Sequence, residues 1–200
     1  MVVEGRTEEV VLRDILCRHL ANRNSSLPVD RIMGVLVPDG GNRIRNKDWV
    51  AERVRRPRQG GHDCVLVVAD QERHPTPAAV RNRLTTCGAD GIFIASPKFE
   101  RWLLADPAAV LAVLGSQRPN GWLRRDPLDV LEGLKSGYKK VTDGTLIGRA
   151  SDPVAWATQE PEFCEMLHMI ESHLGLNPTP CGRAQRRPAG RRQRVRRKRK

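Results

Sequence analysis

Acidic residues closing short apolar runs are the feature of this sequence that could do chemistry. Glu4 follows Val2-Val3, Asp70 follows Val65-Leu66-Val67-Val68-Ala69, and Glu72 comes two positions later. In an open parallel sheet the strands' C-terminal ends share one edge, and ligands bind in the crevice outside it. Acids far apart in sequence meet there, and clustered carboxylate oxygens suit a hard divalent cation, Mg²⁺ or Mn²⁺. Residues i and i+2 of an extended segment project to one face, so Asp70 and Glu72 are expected to converge. Glu100, in Phe99-Glu100-Arg101-Trp102-Leu103-Leu104-Ala105-Asp106, follows a further apolar run and joins the set. Two cations about 4 Å apart stabilise both the attacking and leaving oxygens of a displacement at phosphorus. The expected chemistry is metal-dependent phosphoryl transfer.

Each acid also has a plainer role open to it. Glu4 could serve a helix dipole, although Glu8 and Glu9, in the first turn of the next helix, do that better. Glu72 could pair with Arg73, and Glu100 with Lys98 or Arg101. Asp106 precedes Pro107, an N-cap before a favoured first helical residue, and is read as structural. Arg73 and His74, beside the acidic pair, could contact a substrate backbone.

The elements needed to hold these acids are legible in the periodicity. Gly5 permits a sharp exit from a short first strand at Val2-Val3. Val11, Leu12, Ile15, Leu16 and Leu20 then recur at helical spacing, predicting a helix over about 7–22. A second strand is expected at 32–37, followed by a basic, glycine-containing loop without a P-loop arrangement. A helix over about 47–56, a strand at 63–69, a helix over 77–86 and a strand at 92–95 complete the alternation. This pattern argues for βαβ units and an α/β fold with a largely parallel four-stranded sheet flanked by helices. Beyond residue 97 the pattern is helical. The expected organisation is an α/β core over 1–115, a helical extension over 116–176 and a basic tail over 177–200.

The net charge of +12 is concentrated at one end. Residues 183–200 hold eleven Lys and Arg and no acid, which leaves 24 basic and 23 acidic residues in the rest. With one β-branched residue and no aromatic, the tail has little to bury and is expected to be disordered. Its cations, among them Arg191, Arg192, Arg196 and Arg197, are expected to bind phosphates of DNA or RNA and to release counterions. The five cysteines are scattered and form no C-x-x-C pair, so free buried thiols in a reducing cytoplasm are expected. No apolar run reaches membrane-spanning length, and the opening residues do not read as a signal peptide.

In this order and spacing, E-G-x-T-E after a first strand, an acidic D-x-[DE] after a third and F-E-x-W-L-L-A-D after a fourth resemble the Toprim domains of OLD-family nucleases. The resemblance is closer to small stand-alone bacterial relatives encoded beside ABC- or SMC-like ATPases. It covers roughly residues 2–106 and extends to Tyr138-Lys139-Lys140 and Pro161-Glu162-Phe163. It implies that Glu4 acts as metal ligand or base, that Asp70 and Glu72 form the acidic pair, and that Glu100 contributes to a second metal position. Lys139 or Lys140 would match a lysine steadying a phosphate or leaving oxygen. The function implied is a Mg²⁺-dependent nuclease of phage defence, cytoplasmic, with an ATPase partner. The sequence departs from the pattern in reading D-Q-E, in its very short first strand and in its basic tail. The rival expectation is a nucleic-acid- or ATPase-binding adaptor with a degenerate site. A primase-like nucleotidyl transferase would use the same metals, but no separate nucleotide-binding element accompanies it.

Overall fold

The computed structural model describes residues 1–28, 44, 46–115 and 121–181. The expected strand at 32–37 and the arginines of the tail lie outside these residues. The described residues form a mixed, mostly helical α/β structure around a small parallel sheet. Helix α1 (Arg6–Arg23) and helix α2 (Lys47–Gln59) precede strand β1 (Leu66–Asp70). Helix α3 (Pro77–Leu84) leads through a 3₁₀ turn, stopped by left-handed Gly88, into strand β2 (Gly91–Ala95). Six further helices follow: α4 (Glu100–Leu103), α5 (Pro107–Leu114), α6 (Pro127–Leu134), α7 (Lys140–Ala150), α8 (Pro153–Gln159) and α9 (Pro161–His173).

Strands β1 and β2 pair in parallel, with Leu66 opposite Gly91 and Asp70 opposite Ala95. The expected first strand is reduced to a single parallel bridge, Val2 to Val67. Val2 N–H donates to Leu66 O at 2.7 Å and Val68 N–H to Val2 O at 2.9 Å. Helix α1 begins at Arg6, which ends the pairing on the C-terminal side of Val2. Among the described residues the sheet therefore has two strands and a bridge, and the expected four-stranded sheet is not shown.

Alternation along the strands sorts the core into two layers. Val2, Val65, Val67, Ala69 and Ile94 pack against Val50 and Val54 of α2 and Val80 and Leu84 of α3. Val3, Leu66, Val68, Phe93 and Ala95 face the larger layer, built from α1 and α4 through α9. Within that layer Phe99, Trp102, Trp156 and Phe163 form a run of tilted and edge-to-face ring contacts, centroids 5.2–6.1 Å apart. All four are fully buried. Such pairs contribute about 0.5–1.5 kcal/mol beyond the area they bury.

Two close approaches set the position of α7. A Cβ at Gly148 would stand 2.5 Å from Val11 Cγ1, and one at Gly144 would stand 3.0 Å from Thr7 Cγ2. Glycines four apart make a flat stripe on which α1 lies. The outer edge of β2 is closed by side chains. Arg81 Nε donates to Ile92 O at 3.2 Å, Glu162 Oε2 accepts from Ile94 N–H at 3.1 Å, and Arg81 Nη2 bonds that same oxygen at 2.6 Å.

The expectation of free cysteines is corrected for one pair. Cys164 on α9 is disulfide-bonded to Cys181, while Cys17, Cys64 and Cys87 take part in no disulfide. No helix among the described residues is long and apolar enough to cross a membrane.

Candidate functional site

Glu4, Asp70 and Glu100 arrive at the C-terminal edge of the sheet from three separate segments. Glu4 follows the Val2 bridge and Asp70 ends β1, whose backbone N–H donates to Glu4 Oε2 at 3.1 Å. Asp70 keeps the parity of Leu66 and Val68, so it faces the larger helical layer. There its Oδ1 accepts the Phe99 N–H at 2.8 Å, fastening the strand end to the turn before α4.

Glu100 lies between two buried aromatic anchors, Phe99 and Trp102, and is itself 1% exposed. The neighbouring cations that offered it an ordinary ion pair are engaged elsewhere. Lys98 pairs with Asp126 at 3.4 Å, and Arg101 pairs with Glu160 at 3.1 Å and bonds Leu123 O. Glu100 Oε1 instead stands 2.8 Å from Lys140 Nζ, at the start of α7.

Glu8 belongs to the same cluster, a residue that sequence reasoning assigned to the helix dipole. Glu9 takes the surface role, paired with Arg6, whereas Glu8 is turned inward and 3% exposed. Gly5 permits this, since a Cβ there would stand 2.8 Å from Glu8 Oε2. Glu8 Oε2 and Glu100 Oε2 are buried without a hydrogen-bond partner among the described residues. The signal that could have found Glu8 is the spacing: Glu4 precedes α1 and Glu8 is its third residue, across a glycine that crowds nothing.

The electrostatics register this crowding. Burial, then the charges of Glu4, Glu8 and Glu100, push the Asp70 carboxyl well above its ordinary range, with Lys140 opposing them. Burial and Glu100 likewise raise Glu8 against the pull of its own backbone N–H and Lys140. Burial works against the Lys140 ammonium, but Glu100, Glu8 and Asp70 outweigh it and hold the lysine charged. Tyr138, its hydroxyl buried without a hydrogen-bond partner among the described residues, is raised by burial and by Glu100, Asp143 and Glu8.

The remaining candidates fall at different distances from this centre. Glu72 leaves the strand with φ 46°, its N–H donating to Pro97 O at 2.8 Å. Strand alternation ends at Asp70, so the i, i+2 argument that aligned Glu72 with it does not hold. Arg73 is exposed in the same turn. His74 lines, with Glu4 and Asp70, a cavity of about 10 Å³, room for roughly one water-sized group. Lys139 caps α7, and its backbone N–H donates to buried Asp143 at 2.8 Å, an acid held by Lys135. Asp106 is structural as expected, capping α5 at Ala109 N–H and accepting from Asp152 N–H at 2.8 Å. Arg191, Arg192, Arg196 and Arg197 lie outside the described residues.

The donor set has the chemistry of a hard-cation site, although no three of its acids bring oxygens within 4.8 Å of one another. It consists of carboxylate oxygens, mostly buried, mutually repelling, and in two cases without a hydrogen-bond partner among the described residues. Comparisons with protein-family models, curated proteins and solved structures return no match.

Proposed function

We propose that this chain is a Mg²⁺- or Mn²⁺-dependent nuclease that hydrolyses phosphodiester bonds at the carboxylate centre. The observation that supports it is the convergence of Glu4, Glu8, Asp70 and Glu100, all buried or nearly so, on one sheet edge. Burying four acids together costs stability unless cations join them, and Lys140 supplies a single charge. Glu4, Asp70 and Glu100 would hold the metal with Glu8 beside them, and Glu72 would reach it only from the turn. When bound, the cations would polarise the phosphate and lower the pKa of a water.

The chain's own groups would do the rest. Asp70 has one oxygen fastened by Phe99 N–H, and its other oxygen would be the one available to an ion. Lys140, now paired with Glu100, would offer its ammonium to a phosphate oxygen if that acid were to hold a metal. His74 and Arg73 border the approach, and the basic tail contributes non-specific phosphate affinity. A four-stranded Toprim-like sheet, completed by 32–37, a cytoplasmic setting and an ABC- or SMC-like ATPase partner belong to the same reading.

Calorimetric titration of Mn²⁺ into wild type and Asp70→Ala tests it. Near two ions bound to wild type and lost in the variant, with metal-dependent cleavage of DNA or RNA that fails in Glu4→Ala, support a nuclease. Absence of Mn²⁺ binding in wild type overturns it. The second reading, a nucleic-acid- or ATPase-binding adaptor, is favoured by Lys140 as a built-in counter-cation to Glu100 and by Glu72 leaving the strand. It predicts salt-sensitive binding that metal leaves unchanged, and a melting temperature that micromolar Mn²⁺ does not raise.

A further inference from the structure

Away from the acidic centre, the C-terminal segment turns back along α9 and brings two cysteines and a histidine together. Cys164 and His168 are four apart, on one face of the helix. Cys181 comes from the returning segment, bonded to Cys164. His168 Nε2 lies 3.3 Å from Cys181 Sγ and 3.7 Å from Cys164 Sγ.

The disulfide is not what places this segment. Thr179 N–H donates to Glu171 Oε2 at 2.7 Å, and its hydroxyl donates to Glu171 Oε1. His19 Nε2, on α1, lies 2.8 Å from that same Oε1. His168 Nε2–H donates to Thr179 O at 2.7 Å. Glu171 and Thr179 are buried, so Cys181 stays opposite Cys164 when the sulfurs separate.

We propose that these three residues form a redox-gated zinc site, closed as the disulfide and open to Zn²⁺ as the dithiol. A dithiol reductant would transfer two electrons and two protons, breaking the S–S bond and leaving its own disulfide. Zinc then displaces the two thiol protons and takes both sulfurs as thiolates. With Zn–S near 2.3 Å and Zn–N near 2.0 Å, a tetrahedral ion sets sulfur and nitrogen about 3.6 Å apart and the sulfurs about 3.8 Å apart. The two sulfur–nitrogen distances already bracket the first value, so reduction need only let the sulfurs separate.

On ligation His168 Nε2 exchanges the Thr179 carbonyl for the ion, and the ring proton moves to Nδ1. Two thiolates and an imidazole are a soft donor set, suited to Zn²⁺ and unlike the all-oxygen acidic centre. A cavity of about 610 Å³ lined by Cys64, His168, Met169 and His173 gives ion and reductant a path. The fourth coordination position is left to water or a ligand from that side.

The test uses the full chain before and after reduction with a phosphine, which yields two thiols and a phosphine oxide without chelating metal. Alkylation counting in denaturant is expected to find three reactive thiols before reduction and five after. Co²⁺, the spectroscopic stand-in for Zn²⁺, is expected to give sulfur-to-cobalt charge-transfer absorption at one equivalent in the reduced protein alone. That band should persist in Glu4→Ala/Asp70→Ala, which lacks acids but no sulfur. It should vanish in Cys164→Ser and in Cys181→Ser, and His168→Ala should weaken Zn²⁺ at least tenfold. Five reactive thiols under oxidising conditions, no charge-transfer band on reduction, or a band surviving in both cysteine variants would each overturn the proposal.

Discussion

Lys140 Nζ stands 2.8 Å from Glu100 Oε1, a cation on the first residue of α7 meeting an acid on the first residue of α4. The lysine is about half exposed, at 47%, and the acid 1%. The pair therefore has one wet end, where a competing cation or a phosphate can enter. On the proposed reading, a divalent ion would compete with Lys140 for the same carboxylate charge.

Replacing Lys140 with Gln removes that competitor. Mn²⁺ affinity measured by calorimetry is expected to rise several-fold, while cleavage turnover, if the centre hydrolyses phosphodiesters, falls. Stability without metal is expected to drop, because the buried Glu100 carboxylate loses its counter-cation. Unchanged or weaker Mn²⁺ binding would show that the lysine does not contest the site.

The raised Asp70 carboxyl sets a pH dependence. A folded-state pKa above the unfolded one means that the folded protein binds the proton more tightly. The associated stability is present below the ordinary aspartate range and is lost as pH rises through the elevated value. Asp70→Asn retains an oxygen for Phe99 N–H and removes the charge. It is expected to stabilise the metal-free protein at neutral pH by about 1 kcal/mol, near 3 °C in Tm. The gain should disappear below pH 4 and Mn²⁺ binding should be abolished. Melting curves across pH, with and without Mn²⁺, check both parts.

Gly5→Ala separates site from fold. The new methyl meets the end of a flexible side chain, Glu8 Oε2, so the fold adjusts while Glu8 is displaced. Tm should change by less than about 3 °C, a cost within 1 kcal/mol. Mn²⁺ affinity should fall at least fivefold. Equal affinity would remove Glu8 from the metal site.

Gly148→Ala does the reverse. Its methyl meets Val11 Cγ1, a rigid β-branched neighbour inside the core. Helix α7 must lift from α1, at a cost of about 1–3 kcal/mol. Lys140 moves with it. Chemical denaturation is the direct measurement, and a loss under about 0.5 kcal/mol would show that the helices were not in close contact.

Deleting 183–200 should weaken nucleic-acid affinity and flatten its dependence on salt, with Tm unchanged. An unaltered salt slope would mean that the tail does not touch phosphates.

The sequence made α5 legible to the residue, because Asp106-Pro107 starts it and Gly115 stops it. It made Asp70 and Glu100 legible as acids at strand exits for the same kind of local reason. What it hid was set by tertiary contact. Glu8 reads as an ordinary first-turn acid until Gly5 and the sheet edge draw it inward. Glu72 looked aligned with Asp70 because alternation was carried past the strand's last residue. Cys164 and Cys181 look unrelated at 17 residues apart, until Glu171 and Thr179 fold one segment onto the other. Residues 121–150 carry weak periodicity because their helices are short and α7 buries Asp143, Gly144 and Gly148 beside Ile147 while Val141 and Leu146 stay exposed.

The Arg81–Glu162 pair has a consequence for how this protein behaves toward other chains. An unpaired strand edge is a template on which a foreign strand can grow. Here a guanidinium and a carboxylate stand in for the missing neighbour, one answering Ile92 O and the other Ile94 N–H. Strand addition on that flank must first break an ion pair and desolvate both of its ends. Arg81→Leu and Glu162→Leu would unlock the flank, turning a protected rim into a seed for self-association.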